Sequence, residues 1–340
     1  MKHVNIPVFI PHLGCPNQCV FCNQRSISGI SKFDITGVTA TIDTALATIP
    51  KGYDVEIAFF GGSFTGIDRT LMIDLLKIAY SYVKANKVSH IRCSTRPDYI
   101  NEEILDILKC YGVKVIELGL QSTSEKVLTT TKRGHTYADE VNACNLILQY
   151  GFELIGQMMI GLPGSSLEDE INTAKFIISS GANGARIYPT VVFRDTELCT
   201  LTQKGDYSPL DLDDAVYRSA EVLKLFMASK VDVIRVGLCS SENLVSGDTY
   251  FAGPNHSAIG DLVENRIYYD IIKEKIQDTV FEKDDVLKIY VARGCLSKAI
   301  GQKKKNKFLL AKAFATKNIF FAEVDYLKKY EAFVEVERKR

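Results

Sequence analysis

The sequence lacks any apolar run long enough to cross a lipid bilayer, which takes about 20 consecutive apolar residues. Its start, MKHVNIPVFIPHLG, also lacks the long apolar stretch and the small-residue cleavage site of a secretory signal peptide. These two absences predict a protein that is located in the cytoplasm and has no membrane partner.

Net charge is absent as well, because the chain carries 41 Lys or Arg and 41 Asp or Glu. The composition therefore gives no global signal for nucleic-acid binding. The charges are unevenly distributed, since residues 281–340 contain 15 basic and 8 acidic residues. This segment fits a solvated lysine surface, which is the commoner case, or a surface that binds nucleic acid.

Fixed-period repeats are absent too, and what is present is an alternation of strands and helices. The predicted strands are residues 4–11, 54–60, 88–94, 113–120, 152–163 and 184–192. Such alternation favours parallel strands joined by right-handed crossovers. We therefore predict an α/β fold of the partial (β/α)6 barrel type, with a doubly wound sheet as the alternative.

The pattern changes towards the C-terminus. A helix near 210–230 and a strand at 231–238 are followed by a loop, a helix near 258–276 and three short strands, VLKIYVA, NIFFAEV and FVEVE. This predicts a barrel domain over residues 1–240 and a small α+β domain, packed as a cap, over residues 241–340.

Nine cysteines, an odd number, argue against a disulfide framework in a cytoplasmic chain. Six of them are scattered and are expected to be buried small apolar residues: Cys93, Cys110, Cys144, Cys199, Cys239 and Cys295. The other three, Cys15, Cys19 and Cys22, lie together in GCPNQCVFC, directly after the first strand. In parallel barrels this is the end at which active sites form.

Three clustered thiolates suit a [4Fe-4S] cluster, because each iron takes one protein ligand and cysteine is the usual one. The fourth iron would then be open to a ligand from outside the protein. A zinc site that also uses His12 and a set of inert core thiols remain as alternatives.

The stretch FFGGSFTG follows the second predicted strand. Gly61 and Gly62 allow the backbone to approach a ligand closely, while Ser63 and Thr65 offer hydroxyl groups. A tight turn alone would explain the two glycines. Their position at the same barrel edge as the cysteines favours a binding site.

Together, CPNQCVFC and GGSFT resemble the radical S-adenosylmethionine (SAM) superfamily. Further segments follow in the same order as in the catalytic subunit of elongator and its shorter bacterial relatives: STRPDYI, ELGLQS, KRGHT, MMIGLPG and IYPTVVFRDTEL. The resemblance covers residues 3–210. It implies a TIM-like radical SAM barrel that binds a [4Fe-4S] cluster through Cys15, Cys19 and Cys22, and SAM at the open iron.

The resemblance also implies an iron-sulfur oxidoreductase or transferase. In this superfamily the reduced cluster cleaves SAM to methionine and a 5′-deoxyadenosyl radical, which abstracts hydrogen from the substrate. It implies an electron donor such as flavodoxin or ferredoxin, and transfer RNA (tRNA) as a candidate substrate. The alternatives are a radical SAM oxidoreductase acting on a small metabolite or porphyrin, and a non-catalytic metal-binding interaction protein.

The resemblance assigns SAM contacts to residues at or just after the strand ends: Phe21, Gly61, Gly62, Ser63, Thr65, Ser94, Thr95, Gln121, Ser122, Arg133, Ile160, Gly161, Tyr188 and Arg194. The GGSFT residues would meet the methionine ammonium. Phe21, Ile160, Gly161 and Tyr188 would lie near the adenine. Arg133 and Arg194 would meet the SAM carboxylate or the substrate.

Plainer roles are expected for several polar residues nearby. Arg96 and Asp98 would pair to stabilise their loop, and Glu117 would satisfy Arg96 or Arg133. His135 would either cap its helix or contact a ligand. Near the second domain, His256 and Glu264 would reach the barrel mouth or belong to a helix start.

Two features depart from the elongator subunit. The spacer between Cys15 and Cys19 is the short one of three residues, and a small α+β domain is predicted where elongator carries an acetyltransferase. The wobble-uridine chemistry of that family is therefore not transferred whole.

Overall fold

The computed structural model describes residues 2–10, 13–15, 18–23, 33–238 and 249–338. The strands are β1 His3–Phe9, β2 Asp54–Phe60, β3 His90–Thr95, β4 Val113–Gln121, β5 Glu153–Ile160, β6 Gly184–Pro189, β7 Val192–Phe193, β8 Asp232–Val236, β9 Tyr250–Ala252, β10 Val286–Ala292, β11 Ile319–Val324 and β12 Ala332–Glu337.

The helices are α1 Val38–Thr48, α2 Arg69–Lys84, α3 Glu102–Cys110, α4 Glu125–Thr130, α5 Tyr137–Gln149, α6 Leu167–Ser179, α7 Glu197–Lys204, α8 Leu212–Ala228, α9 Ile259–Gln277, α10 Leu296–Ile300 and α11 Lys305–Ala313. Among the described residues no helix is both long and apolar enough to cross a membrane.

One curled sheet contains seven parallel strands in the order β1-β2-β3-β4-β5-β6-β8. The order follows the chain in a single direction, whereas a doubly wound sheet reverses at a switch point. The predicted partial barrel is therefore confirmed. A seventh strand, β8, pairs in parallel with β6 and extends the six predicted units.

The two faces of this sheet differ in chemistry. One face is apolar and fully buried, as at Ile57, Ile91 and Leu118, and helices pack on the sheet. Successive side chains of a strand point to opposite faces, so the residues between these lie on the concave face of the sheet. There Glu56 and Glu117 are buried, which makes the interior of the half-barrel polar.

Helix starts are marked by side chains that satisfy the free backbone N–H groups. Thr136 and Asp139 form a capping box at α5, and Ser166 and Asp169 form another at α6. Asn101 accepts a hydrogen bond from Ile104 N at 2.9 Å at α3. These caps fix the starts of α3, α5 and α6.

Backbone contacts divide the chain into two compact units, Met1–Leu212 with Leu225–Ser257, and Asp213–Lys224 with Ala258–Arg340. The second unit is the expected small α+β fold. Its sheet has the order β11-β10-β12, with β11 parallel and β12 antiparallel to β10. The boundary between residues 240 and 241 stays a prediction, since residues 239–248 lie outside the described part of the chain.

Candidate active site at the carboxyl ends of the strands

The cysteine loop follows β1 and lies beside the turn that follows β2. Cys15 is exposed, Cys19 is buried and Cys22 is half-buried. The Cys22 N–H donates to the Cys19 carbonyl at 3.0 Å, so a tight turn carries these two residues. The Cys15 Sγ lies 3.7 Å from the Ser63 Oγ. The structure thus brings the cysteine loop and the GGSFT turn together, and His12 lies outside the described residues.

Glycines make this close approach possible. Gly14 has a left-handed φ of +73°, and a Cβ at this position would lie 2.2 Å from the Ser63 carbonyl oxygen. A Cβ at Gly62 would lie 2.4 Å from the Leu13 carbonyl oxygen. The two loops are therefore in backbone contact, at a distance that a larger residue at either position would prevent.

The second half of the cysteine loop is anchored by backbone hydrogen bonds. Val20 N donates to the Thr131 carbonyl at 3.2 Å, and Leu198 N donates to the Val20 carbonyl at 2.8 Å. Val20 is buried with Leu198, and Phe21 packs half-buried against them. Neither Thr131 nor Leu198 was singled out from the sequence, because nothing in the spacing of the motifs relates them to the loop.

Hydroxyl and guanidinium groups connect the next strand ends. Thr65 Oγ1 lies 2.6 Å from Thr95 Oγ1, and both residues are buried. The predicted pair of Arg96 and Asp98 is confirmed by two hydrogen bonds of 2.9 and 3.0 Å. The same guanidinium also donates to the Arg133 carbonyl. Arg96 therefore joins the loop after β3 to the segment that follows α4.

Arg133 lies at the centre of this arrangement. Its Nη1 donates to Cys19 Sγ at 3.3 Å, and its Nη2 donates to the Gly119 carbonyl at 2.6 Å. A Cβ at Gly119 would lie 3.1 Å from Gln121 Nε2. Gln121 has a left-handed φ of 73°, and the β4 ladder has an irregularity there. Such local backbone strain is often found at functional sites.

Three buried polar atoms of this region have no hydrogen-bond partner among the described residues. They are Gln121 Oε1, Arg133 Nε and Arg96 Nη1. Leaving a buried polar group unpaired costs roughly 1–3 kcal/mol, so such groups normally serve a ligand or water. They come from three different segments near the carboxyl ends of the strands, where they offer one acceptor and two donors.

A chain of charged residues occupies the concave face of the sheet. Glu117 accepts from Arg92 Nη1 at 2.9 Å, from Arg186 Nη2 at 2.8 Å and from Gln157 Nε2 at 2.7 Å. The expectation that Glu117 would satisfy Arg96 or Arg133 is therefore wrong, because the side chains of Arg92 on β3 and Arg186 on β6 reach it across the concave face. Ser94 lies 3.5 Å from Gln157 Nε2 and so joins this chain.

Tyr188 also belongs to this interior. Burial lowers the pKa of Arg186, but Tyr188 and Glu117 more than offset that effect and raise it. Arg186 is therefore charged, and it lies 5.7 Å from the ring centre of Phe60. The polar interior therefore adjoins an aromatic ring at the carboxyl end of β2.

Comparison with known proteins identifies the family. The model of the radical SAM superfamily matches residues 9–177, and that of the radical SAM C-terminal domain matches residues 182–269. The chain belongs to the radical SAM superfamily. Proteins of this superfamily are enzymes that bind a [4Fe-4S] cluster and SAM.

Relatives of this radical SAM protein include elongator-like archaeal proteins. It is 30% identical over 233 residues to an uncharacterized protein of Methanocaldococcus jannaschii, covering 62% of this chain and 68% of that protein. It is also 30% identical over 257 residues to the tRNA uridine(34) acetyltransferase of that organism, covering 64% of this chain. The match spans 46% of the acetyltransferase, so this chain is similar to less than half of it.

Among solved structures, the archaeal Elp3 of Methanocaldococcus infernus with an N-terminal deletion is similar in fold. The TM-score is 0.63 at 21% identity, covering 79% of this chain and 63% of that chain. This likeness supports the half-barrel fold, and the predicted resemblance to the elongator branch is confirmed.

The remaining predicted contacts of the radical SAM site are already engaged within the protein. Gly161 N donates to Glu170 Oε1 at 2.7 Å, and the Gly161 carbonyl accepts from the Tyr207 hydroxyl at 2.6 Å. Ile160 is fully buried. The Ser122 hydroxyl accepts a hydrogen bond from Ser124 N at 3.3 Å. Arg194 is exposed, and its guanidinium lies 5.6 Å from the Phe251 ring centre. Their assignment to SAM stays a prediction.

His135 does not cap its helix, since Thr136 provides the cap of α5. It is buried, and its Nε2 lies 3.0 Å from Glu140 Oε1. Burial and the charges of Arg133 and Arg96 lower the pKa of His135 to about 3. Burial raises the pKa of Glu140 to about 9, so this hydrogen bond joins two uncharged groups at neutral pH.

The scattered cysteines and Glu264 were also subjects of predictions from the sequence. Cys93, Cys144, Cys199 and Cys295 are buried, but Cys110 is exposed at the end of α3, so its expected burial is wrong. Cys239 lies outside the described residues. Burial raises the pKa of Cys93 to about 12, which leaves its thiol unreactive. Glu264 is held within the second unit by Lys329 at 2.7 Å and Tyr330 at 2.7 Å.

Proposed function

We propose that Cys15, Cys19 and Cys22 hold a [4Fe-4S] cluster and that the neighbouring strand ends hold SAM. Three thiolates in one loop match three irons and leave the fourth iron for SAM. Arg133 Nη1, which lies 3.3 Å from Cys19 Sγ, would donate a hydrogen bond to the sulfur of a cluster ligand. When bound, the cluster and SAM supply the electron transfer and radical chemistry.

The observation that carries the proposal is the group of unpartnered polar atoms beside the cysteine loop. Gln121 Oε1 is an acceptor and Arg133 Nε is a donor, and both are buried without a hydrogen-bond partner among the described residues. SAM offers an ammonium group and a carboxylate that match an acceptor and a donor of this kind. We assign the ammonium to the Gly61–Thr65 turn and Gln121, and the carboxylate to Arg133.

The polar interior of the half-barrel would then lie beside the bound cofactor. Ser94 and Tyr188 are the residues of this interior that we assign to the ribose and the adenine. The buried charges on Glu117 and Arg186 are paired, so they fix the positions of their neighbours without adding net charge. An external electron donor such as flavodoxin or ferredoxin would supply the reducing electron.

The substrate we favour is tRNA. One M. jannaschii relative is named a tRNA uridine(34) acetyltransferase, although this chain covers only 46% of it. Residues 281–340 carry the excess of basic residues, 15 against 8 acidic, that binding to phosphates requires. If tRNA is the substrate, the hydrogen atom that the radical abstracts would come from a nucleoside of the tRNA.

The test of the chemistry is the formation of 5′-deoxyadenosine. Protein that has been purified and reconstituted without oxygen is incubated with dithionite and SAM, and both 5′-deoxyadenosine and methionine are measured. We expect product from the intact protein and none from the Cys15→Ala/Cys19→Ala/Cys22→Ala variant. Cys110→Ala is the matched control, because this exposed cysteine lies outside the loop and its removal should leave product formation unchanged.

Two outcomes would contradict the proposal. Zinc in place of iron and sulfide in the anaerobically purified protein would exclude the cluster. Loss of product in Cys110→Ala as severe as in the triple variant would show that the cysteine loop is not the determining site.

The test of the substrate is the salt dependence of tRNA binding. Affinity for tRNA should fall steeply between about 50 and 200 mM salt if phosphates dominate the contact. Lys303→Gln/Lys304→Gln/Lys307→Gln should flatten this dependence, whereas Lys77→Gln on α2 should not. If tRNA binding is absent even at low salt while 5′-deoxyadenosine still forms, the RNA assignment fails and a small-molecule substrate replaces it.

A further inference from the structure

Two histidines and a glutamate meet at the amino ends of β1, β2 and β3. His3 is the first residue of β1, Glu56 is the third of β2 and His90 is the first of β3. Register places Glu56 directly beside His90, and His3 lies next to Asp54 on the other neighbouring strand. The cysteine loop follows the carboxyl end of β1, so this cluster lies at the opposite edge of the sheet.

Both imidazoles lie within contact distance of the Glu56 carboxylate. His90 Nε2 lies 2.7 Å from Glu56 Oε2, and His3 Nε2 lies 3.1 Å from Glu56 Oε1. Glu56 is fully buried, yet its Oε2 lacks a hydrogen bond of acceptable geometry among the described residues.

We propose that His3, Glu56 and His90 form a binding site for a divalent transition-metal ion of the Zn²⁺ class. Two imidazole nitrogens and one carboxylate oxygen are the donor set of many three-ligand zinc sites, with a fourth position left for water. The three donor atoms all lie within 4.8 Å of one another. No other group of three such donors was found among the described residues.

The separations suit a shared ion. Zinc held at about 2.0–2.1 Å from each donor in tetrahedral geometry would separate nitrogen from oxygen by roughly 3.3 Å. The His90 Nε2–Glu56 Oε2 distance is 2.7 Å and the His3 Nε2–Glu56 Oε1 distance is 3.1 Å, so each is within about 0.6 Å of that value. Because the two imidazoles face different oxygens, the carboxylate must rotate to present one oxygen to an ion between them. An ion at the centre would also give Glu56 Oε2 the partner that it lacks.

The surroundings of Glu56 favour a metal ligand. Arg92 Nε donates to Glu56 Oε1 at 2.6 Å and fixes its orientation, as residues behind metal ligands commonly do. The His3 side chain is 42% exposed, which provides an entry path.

A metal ion at this site would stabilise the position of β1 in the sheet. β1 is an edge strand of the seven-stranded sheet and leads directly into the cysteine loop. An ion shared by β1, β2 and β3 would fasten this edge strand at its start. Binding would therefore raise thermal stability without any contact with SAM.

The experiment is a calorimetric titration of Zn²⁺ into the full chain carrying Cys15→Ala/Cys19→Ala/Cys22→Ala, after treatment with EDTA. These replacements remove the competing thiolates of the loop. We expect one equivalent of Zn²⁺ to bind, and His3→Gln or His90→Gln to weaken it on the order of 100-fold or more. His256→Gln is the matched control and should bind like its parent.

A second measurement guards against misfolding. In EDTA, His3→Gln should melt at the temperature of its parent, because the side chain is partly exposed, and added Zn²⁺ should raise the melting temperature of the parent alone. Absence of a zinc equivalent in the parent, or its retention in both His3→Gln and His90→Gln, would overturn the proposal. Neither result bears on SAM cleavage, which is measured separately.

Discussion

The contact between Gly14 and the β2 turn leads to a quantitative prediction for Gly14→Ala. The new Cβ would lie 2.2 Å from the Ser63 carbonyl oxygen and 2.6 Å from Ile67 N, and both are backbone atoms. A relaxed carbon–oxygen contact is about 3.3 Å, so the cysteine loop would have to move by roughly 1 Å. A non-glycine residue in the left-handed region also costs about 1–2 kcal/mol.

Gly52→Ala separates these two effects. Gly52 has a similar left-handed φ of +87°, but its added Cβ would meet nothing within 4 Å. Both variants should therefore lose about 1–2 kcal/mol of unfolding free energy from backbone strain. Only Gly14→Ala should also displace the loop, and a misplacement of about 1 Å at a reacting centre can lower the rate about 100-fold.

The assay is the rate of 5′-deoxyadenosine formation by anaerobically reconstituted protein, with iron content and a urea unfolding curve for each variant. Gly52→Ala should retain the parental rate and iron content. Gly14→Ala should lose about two orders of magnitude in rate, or lose iron. If Gly14→Ala retains both iron and rate at the level of Gly52→Ala, the inference that this backbone contact positions the cysteines is refuted.

Three further predictions concern stability. The folded protein keeps a proton on Glu140 up to a pKa of about 9, whereas the unfolded chain releases that proton near pH 4.5. Between these two values only the folded state holds the proton. The free energy of unfolding should therefore fall as pH rises, by up to about 1.4 kcal/mol per pH unit. E140Q should remove that slope in urea unfolding measured from pH 5 to 8, and an unchanged slope would contradict a buried neutral carboxyl. Thr95→Val should cost about 0.5–1.5 kcal/mol by removing one hydrogen bond of the buried Thr65 hydroxyl, which keeps its bond to the Tyr99 carbonyl. The Thr65→Val/Thr95→Val pair should cost less than the two single changes added together. Lys132→Ala removes an exposed ion pair with Glu197 and should change the unfolding free energy by less than about 1 kcal/mol, so a larger loss would show that this pair fixes α7.

Short strands composed mostly of apolar residues were the most predictable part of the fold. DVEIAFF and VLKIYVA correspond to β2 and β10 without a shift at either end. Both are short, rich in β-branched or aromatic residues and bounded by charged or turn-forming residues, so local pattern is sufficient. The helix starts at Asn101 and Ser166 carry a similar local signal, since a cap is a local interaction. At α5 the cap is Thr136, one residue after His135, which the sequence offered for that role.

Short elements that depend on neighbours were missed. Helix α7 has eight residues and begins after Asp195, which has a left-handed φ of 59°. Its first turn is anchored by Leu198 N to the Val20 carbonyl, a contact across the chain that no local pattern indicates. The strands β7 and β9 are two and three residues long and pair across an interval that includes β8. Tertiary contacts, and not intrinsic preference, determine these elements.

The residues of the candidate site also fall into those that the local sequence indicated and those that it did not. The cysteine spacing indicated an iron-sulfur cluster, because all three ligands lie close together in the sequence. The positions of Arg92, Arg186 and Glu56 were not singled out, because each is a lone polar residue in an otherwise apolar strand. Single residues of this kind reveal neither their partners nor the face of the sheet on which they lie.

These lone residues nevertheless carry a signal. In a parallel sheet with helices on both faces, strands are expected to be apolar throughout. Here β2, β3, β4 and β6 each contain a charged residue that is buried. Side-chain ion pairs join Glu56, Arg92, Glu117 and Arg186 into one chain. Burial of an unpaired charge is too costly to persist, so one buried charge in each of several successive strands requires a common polar face. That requirement separates a half-barrel with a polar interior from a sheet covered on both faces.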